Sequence, residues 1–282
     1  MFEMQIVDKS FAHDAGTVAG VIPKYMKWSR QALNKSRPVF FCNDSLNELT
    51  YQQWGGEVYG LLFESPAILP ATYDLVPTFI DKLTYLFTPN DELLRAYPEK
   101  ARFVPAGGVW NSVLLNSNGF DIPEKNFIVS MLSSSKMMCG LHQFRLNLAN
   151  MLKRNNELSA HVYIQNTGEY INPSETLDRY YYSIIIENHI SENYFTEKIL
   201  NCFATGTIPI YFGARHIDYF FDGSAILKFH SIDTLSKILS TLSTSDWQNR
   251  ISGIENNMKS AKLKYRCIED YLYINYASEL KV

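Results

Sequence analysis

Residues 182–211 have the sequence YSIIIENHISENYFTEKILNCFATGTIPIY, and this stretch decides the fold. It opens with an apolar run at 182–186 and closes with another at 208–212, and both runs are typical of buried strands. Between them, 196–204 has the spacing of a helix that Gly206 ends. A strand, a helix and a second strand in this order predict a βαβ unit whose two strands are parallel.

The same alternation of strand and helix extends on both sides of this unit. Further strands are predicted at residues 39–42, 60–63, 85–88, 103–105, 127–130 and 161–164. Helices are predicted at 91–97, with Asn90 as its cap, and at 142–153, whereas the serine-rich stretch 133–136 predicts a polar loop. The tail, 232–282, has a largely helical pattern. The chain is therefore expected to be an α/β protein with parallel sheets.

A polar stretch divides the chain into two similar halves. Residues 116–125, NSNGFDIPEK, contain Gly and Pro and lack apolar periodicity, which is typical of a linker. The predicted domains are 1–120 and 121–282, and packing of the final helices back on the first half is left open. Two Rossmann-like halves predict a central cleft, where ligands usually bind.

Composition excludes several classes of protein. The 282 residues are 46% hydrophobic and 20% charged, which excludes a disordered or collagen-like chain. A net charge of −3 gives no basic field for nucleic acid, and no apolar run is long enough to span a membrane. The four cysteines are far apart, and three have apolar neighbours, which predicts buried hydrophobic side chains rather than a metal site. The first ten residues do not resemble a signal peptide, so a cytoplasmic location is expected.

The loop between the strand 182–186 and the following helix holds the most informative polar residues. Glu187 and Asn188 follow the strand directly, and Glu197 and Lys198 begin the helix. The first turn of a helix presents backbone N–H groups and a partial positive charge, which suit a phosphate. Lys198 would add a full charge, and Glu197 could accept hydrogen bonds from sugar hydroxyls. The alternative is an ordinary βαβ unit whose Glu and Lys lie on a solvated helix face.

Two residues outside this loop are candidates for chemistry. Arg145 lies on the helix predicted after the serine-rich loop, and its planar fork suits a diphosphate, although a solvated helix arginine is the alternative. Glu64 follows the strand 60–63, where a carboxylate could act as a general base, or could lie in solvent as an ordinary strand-end acid. The sequence contains no Asp-x-Asp, GxGxxG, P-loop or GxSxG motif, which disfavours metal–diphosphate, dinucleotide, NTPase and hydrolase chemistry.

Together these segments resemble the α1,3/α1,4-fucosyltransferases of glycosyltransferase family 10. The stretch 182–211 is similar to the donor-binding signature of that family, and 63–66, FESP, is similar to the element around its proposed base. Residues 128–130 followed by Arg145 resemble its VSN strand and diphosphate-binding arginine, although Met131 stands where Asn is expected. The turn 103–107 also resembles a family element. The matches span about residues 60 to 225 and keep the order of the family.

The resemblance implies a GT-B fold, in which two Rossmann-like domains face a central cleft, and an inverting transfer of fucose from GDP-fucose to a glycan hydroxyl. No metal is expected, nor any nucleic-acid partner, and peripheral attachment to a membrane is left open. The implied roles are Glu64 as the base, Arg145 and Lys198 on the diphosphate, Glu197 on the ribose, and Asn188 and Tyr194 lining the donor site.

Three alternatives remain open at this stage. A related GT-B enzyme could use another nucleotide sugar such as GDP-mannose, because motifs for a diphosphate say little about the sugar. A catalytically silent protein could bind nucleotide or glycan without turnover. A plain α/β scaffold would require the long signature at 182–211 to be a coincidence.

Overall fold

The structure is a computed structural model that describes residues 1–11, 16–18, 20–31, 33–50, 52–110, 115, 119–155 and 160–281. The chain forms two compact units, one of residues 1–108 with 265–282 and one of residues 109–264. Part of the predicted linker, 116–118, lies outside the described residues. In the part of the chain that the structure describes, no helix is both long and apolar enough to cross a membrane.

The first unit is built on a parallel sheet of six strands. These are β1 (Phe2–Val7), β2 (Met26–Ser29), β3 (Val39–Cys42), β4 (Val58–Leu61), β5 (Tyr85–Thr88) and β6 (Ala101–Phe103), arranged in the order β2-β1-β3-β4-β5-β6. With helices numbered along the chain, this unit holds α1 (Pro70–Phe79), α2 (Asp91–Ala96) and the last helix, α9 (Ile268–Tyr276). A 3₁₀ helix, Asn43–Thr50, follows β3.

Strands at the centre of this sheet are apolar on both faces. Every residue of β3 and β4 is buried, as parallel strands covered on both sides require. The rings of Phe40 and Tyr59 stack across the two strands with centroids 5.1 Å apart. The last helix is fastened to this unit by Glu269, whose buried carboxylate accepts hydrogen bonds from the Thr17 amide and, at 2.6 Å, from the Trp28 indole.

The second unit is built on a parallel sheet of five strands. These are β7 (Phe127–Ser134), β8 (Ala160–Gln165), β9 (Tyr180–Ile186), β10 (Ile208–Phe212) and β11 (Leu227–Lys228), arranged in the order β11-β10-β9-β7-β8. Its helices are α3 (Gly140–Arg154), α4 (Pro173–Leu177), α5 (Glu197–Thr205), α6 (Ile232–Leu239), α7 (Thr244–Asn249) and α8 (Ile251–Lys259). The central strand β9 supplies Tyr182, Ile184 and Ile186 to the core.

Most predicted elements of the second unit are confirmed. The strand at 208–212 has the predicted bounds, and α5 ends where predicted because Gly206 adopts a φ of +69°. The tail is largely helical, and Cys42, Cys202 and Cys267 are buried free thiols.

Three predictions about element bounds are wrong. The polar loop expected at 133–136 begins only after Ser134, because the ladder between β7 and β8 continues to the pair Ser134 and Gln165. The strand predicted at 60–63 lies at Val58–Leu61, and that predicted at 103–105 ends at Phe103. In addition, β1 and β2 were not predicted at all.

In both sheets, the direction in which successive strands are added reverses at one point. In each sheet, the first strand in the chain lies between the second and the third. The chain therefore adds strands on both sides of it, and the order switches at β1/β3 and at β7/β9. In open parallel sheets, ligands bind outside the carboxyl ends of the strands at such a switch point. In the second unit, these ends are Ser134 of β7 and Ile186 of β9.

Candidate functional site

A buried carboxylate organises the end of β9. The side chain of Glu187 is fully buried directly after three isoleucines, so its charge needs partners from neighbouring segments. Its Oε1 accepts a hydrogen bond from the Thr196 amide at 3.1 Å, and its Oε2 accepts one from the Thr196 hydroxyl at 2.8 Å. The hydroxyl of Tyr211 also hydrogen-bonds to it. Glu187 therefore links the strand end to the start of α5.

Two backbone amides at the start of α5 already have hydrogen-bond acceptors within the chain. Thr196 is the N-cap, and its hydroxyl accepts a hydrogen bond from the Lys198 amide at 3.3 Å while its own amide donates to Glu187. The expectation that the first turn offers open N–H groups to a phosphate is therefore wrong for these two amides. The physical reason is that a buried carboxylate and a capping hydroxyl satisfy them within the chain.

Lys198 carries the positive charge at this helix start. Its Nζ lies 3.3 Å from Oε2 of Glu187, 3.2 Å from Oε1 of Glu197 and 2.9 Å from the Thr196 hydroxyl. Burial alone would lower the pKa of Lys198, but the two carboxylates outweigh it and raise the pKa above its ordinary value. About a quarter of the side chain, 24%, is exposed. The ammonium is therefore charged and is held by three acceptors of the chain itself.

Arg145 lies at the switch point of the second sheet. It projects from α3, is 5% exposed, and donates hydrogen bonds to the Ser134 hydroxyl and to the Ile186 carbonyl, each at 3.2 Å. The guanidinium thus joins the ends of β7 and β9. Burial lowers its pKa, and the nearby charges of Glu187 and Glu197 oppose that shift. Its Nε has no hydrogen-bond partner among the described residues.

His142 lies one turn before Arg145 on the same helix and was not predicted as a site residue. The ring is 6% exposed, and its Nδ1 has no hydrogen-bond partner in the described parts of the chain. Burial, followed by the positive charges of Arg145, Lys198 and Lys136, lowers the pKa of His142 to about 4. The imidazole is therefore neutral at physiological pH and lies in a cluster of cations.

Asn188 and Tyr194 lie in the loop between β9 and α5. The carbonyl of Asn188 accepts a hydrogen bond from the thiol of Cys139, at 3.4 Å, just before α3 begins. Tyr194 is 3% exposed, and its ring meets that of His189 edge to face at 5.7 Å. The structure thus gathers Arg145, Asn188, Glu197 and Lys198 around the carboxyl end of β9, and Tyr194 packs into the loop that follows.

Glu64 belongs to the first unit, in the segment after β4. The prediction that it directly follows a strand is wrong, because β4 ends at Leu61 and the Glu64 amide bonds to the Asn43 side chain. Its carbonyl accepts a hydrogen bond from the Tyr73 hydroxyl at 2.7 Å, and its Oε1 accepts one from the Ser65 amide at 3.0 Å. The carboxylate is therefore on an ordered turn.

The site can hold an anion. Arg145 and Lys198 are cations at one strand end, with Lys136 close enough to affect His142. Within the described ranges, no three His, Cys, Asp or Glu side chains form a group that could hold a metal ion. Glu187 directly follows a fully apolar strand, which is only a weak signal in the sequence, because Glu64 also follows an apolar run and is half-buried. His142 carried no comparable signal, because its burial depends on tertiary packing.

A known protein family matches a segment of the second unit. Residues 122–250 match the family described as Glycosyltransferase family 10 (fucosyltransferase) C-term, so the predicted resemblance is confirmed over this segment. The human and mouse proteins named 4-galactosyl-N-acetylglucosaminide 3-alpha-L-fucosyltransferase 9 are each 26% identical over 147 residues, which is 50% of this chain. The chain spans 39% of the length of these relatives.

Solved structures with a similar fold are glycosyltransferases. An alpha1,3-fucosyltransferase with GDP aligns over 100% of this chain and 91% of its own, with a TM-score of 0.58 and 14% identity. TarM aligns over 88% of this chain and 55% of its own, with a TM-score of 0.57 and 10% identity. A DNA-modifying beta-glucosyltransferase aligns over the whole of both chains, with a TM-score of 0.53 and 8% identity. The predicted GT-B fold class, with two Rossmann-like α/β halves, is confirmed.

Proposed function

We propose that the chain transfers L-fucose from GDP-fucose to a hydroxyl group of a glycan acceptor, with inversion at the sugar carbon and without a metal ion. The observation that carries this proposal is the pair of cations, Arg145 and Lys198, at the carboxyl end of β9. Both lie within the segment 122–250 that matches the fucosyltransferase family. The name and the GDP ligand of the similar proteins support fucose and guanosine diphosphate as parts of the donor.

In the proposed reaction, the acceptor oxygen attacks carbon 1 of fucose on the face opposite the diphosphate. The bond from that oxygen to carbon 1 forms as the bond from carbon 1 to the phosphate oxygen breaks. Glu64 takes the proton of the acceptor hydroxyl, which is the task of a general base in a transition state with oxocarbenium character. The diphosphate leaves with the electron pair of the broken bond.

The leaving group gains negative charge, and this chain supplies two cations for it. Arg145 presents a planar fork that suits a diphosphate, and its position is fixed by Ser134 and Ile186 before any ligand arrives. Lys198 is held by carboxylates that a diphosphate would partly replace as its partners. Preorganised donors of this kind stabilise developing charge because they need no reorientation during the reaction. Glu197 would accept hydrogen bonds from the ribose hydroxyls, with Asn188 and Tyr194 lining the donor site.

A second candidate keeps the site and changes the sugar donor. Solved structures in complex with UDP, such as that of a TarM variant with a TM-score of 0.56, resemble this fold about as well as the fucosyltransferases do. A catalytically silent nucleotide- or glycan-binding protein is the remaining alternative. It would bind GDP without turnover.

Glu64→Gln tests the proposed base in the first unit separately from donor binding in the second unit. This change keeps the shape of the side chain and removes its basicity, so transfer should fall by about 100-fold or more. The dissociation constant of GDP should stay within about twofold of the wild-type value, because the proposed donor residues are in the other unit. Glu99→Gln, an exposed acid of the same unit, serves as the matched control. Full activity in Glu64→Gln would remove Glu64 as the base.

A further inference from the structure

Asn43 occupies the switch point of the first sheet. It follows β3 directly and adopts a φ of +48°, in the left-handed region that Asn tolerates better than most side chains. The residue is 2% exposed. A buried amide in this conformation needs hydrogen-bond partners, and it has them on two neighbouring loops.

The amide of Asn43 holds the segment that carries Glu64. Its Oδ1 accepts hydrogen bonds from the backbone amides of Phe63 and Glu64, each at 3.2 Å. Its Nδ2 donates to the Ser10 hydroxyl, also at 3.2 Å, in the loop after β1. The side chain therefore connects the loops that follow β1 and β4 across the end of β3.

Glu64 is held from its carbonyl side as well. The Tyr73 hydroxyl on α1 donates to that carbonyl at 2.7 Å, and Tyr73 is in turn hydrogen-bonded to Thr88 at the end of β5. Asn43 on one side and Tyr73 on the other thus fix the peptide groups on both sides of the Glu64 α-carbon. These contacts fix the backbone position from which the Glu64 carboxylate projects.

We propose that Asn43 is a positioning residue for Glu64, holding the backbone of the base in place with a neutral acceptor. This inference rests on the proposed function, in which Glu64 takes the acceptor proton. An amide oxygen satisfies the two N–H groups without adding negative charge beside the carboxylate. An Asp at this position would satisfy the same groups but would disfavour ionisation of Glu64 by like-charge repulsion.

Two variants separate positioning from folding. Asn43→Asp keeps the shape and both acceptor contacts, and the Ser10 hydroxyl can donate to it, so the fold should survive. Asn43→Gly keeps the left-handed backbone and removes the amide. Asn34→Asp, which adds a charge at an exposed position of the same unit, is the matched control.

The readout is the dependence of kcat/KM on pH, together with kcat and the dissociation constant of GDP. In Asn43→Asp, the acid limb of the profile should move to higher pH by about one unit, because the carboxylate of Glu64 protonates more easily. In Asn43→Gly, kcat should fall by about 10- to 100-fold through misplacement of the base, with GDP affinity unchanged. Asn34→Asp should change neither.

The inference and the proposed function fail in different ways. An unshifted acid limb in Asn43→Asp, or a kcat for Asn43→Gly within twofold of wild type, overturns the role of Asn43 while Glu64→Gln still reports on the base. A fully active Glu64→Gln variant, or a wild-type protein without transfer activity, overturns the proposed function and the role of Asn43 with it.

Discussion

Lys198 and Glu187 form an ion pair of 3.3 Å that joins the start of α5 to the end of β9. The Glu187 side chain is fully buried, whereas the Lys198 side chain as a whole is 24% exposed, so only the lysine side of the pair reaches toward solvent. An incoming diphosphate would therefore meet a cation whose position is already fixed by the protein. The same pair makes the stability of this unit depend on a residue proposed to act in transfer.

Lys198→Met should affect both transfer and stability. Loss of one preorganised cation is expected to lower the rate of transfer about 100- to 1,000-fold. The same change removes the ion-pair partner of the buried Glu187 carboxylate, and breaking a buried pair in this way costs about 3–5 kcal/mol. Activity assays and urea denaturation measure the two effects on the same preparation.

The double variant Lys198→Met, Glu187→Gln separates the loss of transfer from the loss of stability. Replacing the carboxylate by an amide removes the unpaired charge, so most of the lost stability should return while transfer remains low. Recovery of transfer in the double variant would contradict the assignment of Lys198 to the diphosphate.

Arg145→Lys should weaken GDP binding although it keeps the charge. A lysine cannot donate at once to the Ser134 hydroxyl and the Ile186 carbonyl with the fixed geometry of a guanidinium. We expect an increase of about 10-fold or more in the dissociation constant of GDP by calorimetry. Arg154→Lys, in the exposed last turn of the same helix, is the control; equal effects in both variants would argue against a specific role.

Gly213→Ala should disturb the site through the packing around Glu187. An added Cβ would collide with the Tyr211 hydroxyl and lie 2.7 Å from Cγ of Glu187, both of which are buried and closely packed. Overpacking of this kind costs about 1–3 kcal/mol and should lower transfer by displacing Glu187 and its partner lysine. Gly140→Ala, where an added Cβ meets nothing within 4 Å, should leave stability and transfer unchanged. A Gly213→Ala protein as active and stable as wild type would refute this packing argument.

His142 should make stability depend on pH in the acid range. Its pKa is about 4 in the folded protein, against about 6.5 in an unfolded chain, so the unfolded state binds more protons between these values. The free energy of unfolding should therefore fall by about 2–3 kcal/mol as the pH falls from 6.5 to 4. His142→Gln lacks this titration, and denaturation curves at several pH values should show a flatter profile. Parallel profiles for the two proteins would exclude the effect.

The sequence was sufficient for α5 and its surroundings. Gly206 as a stop and the apolar runs on either side are local signals, and the structure has the helix end and the strand β10 where these signals put them. The helix predicted from Thr196 begins one residue later, with Thr196 as its cap. The same holds for the cap Asn90, whose side chain accepts a hydrogen bond from the Leu93 amide at 2.9 Å. Local hydrogen bonds and periodicity determine such features, so they can be predicted from neighbouring residues.

Other features depend on contacts between distant segments. The bonds from Arg145 to Ser134 and Ile186 arise from the strand order, which places β7 beside β9. The end of β4 before Glu64 depends on the side chain of Asn43, about twenty residues earlier. Strand β1 pairs with β2 on one side and with β3 on the other, and no local motif in the sequence encodes this pairing.

The most direct test of the proposed function is the release of GDP from GDP-fucose in the presence of EDTA, with and without a panel of glycan acceptors. GDP-mannose and UDP-sugars are the matched donors. We expect acceptor-stimulated release from GDP-fucose, undiminished by EDTA, and little release from the other donors. Release from a different donor alone would contradict fucose as the sugar, and GDP binding without release from any donor would contradict the proposed transfer.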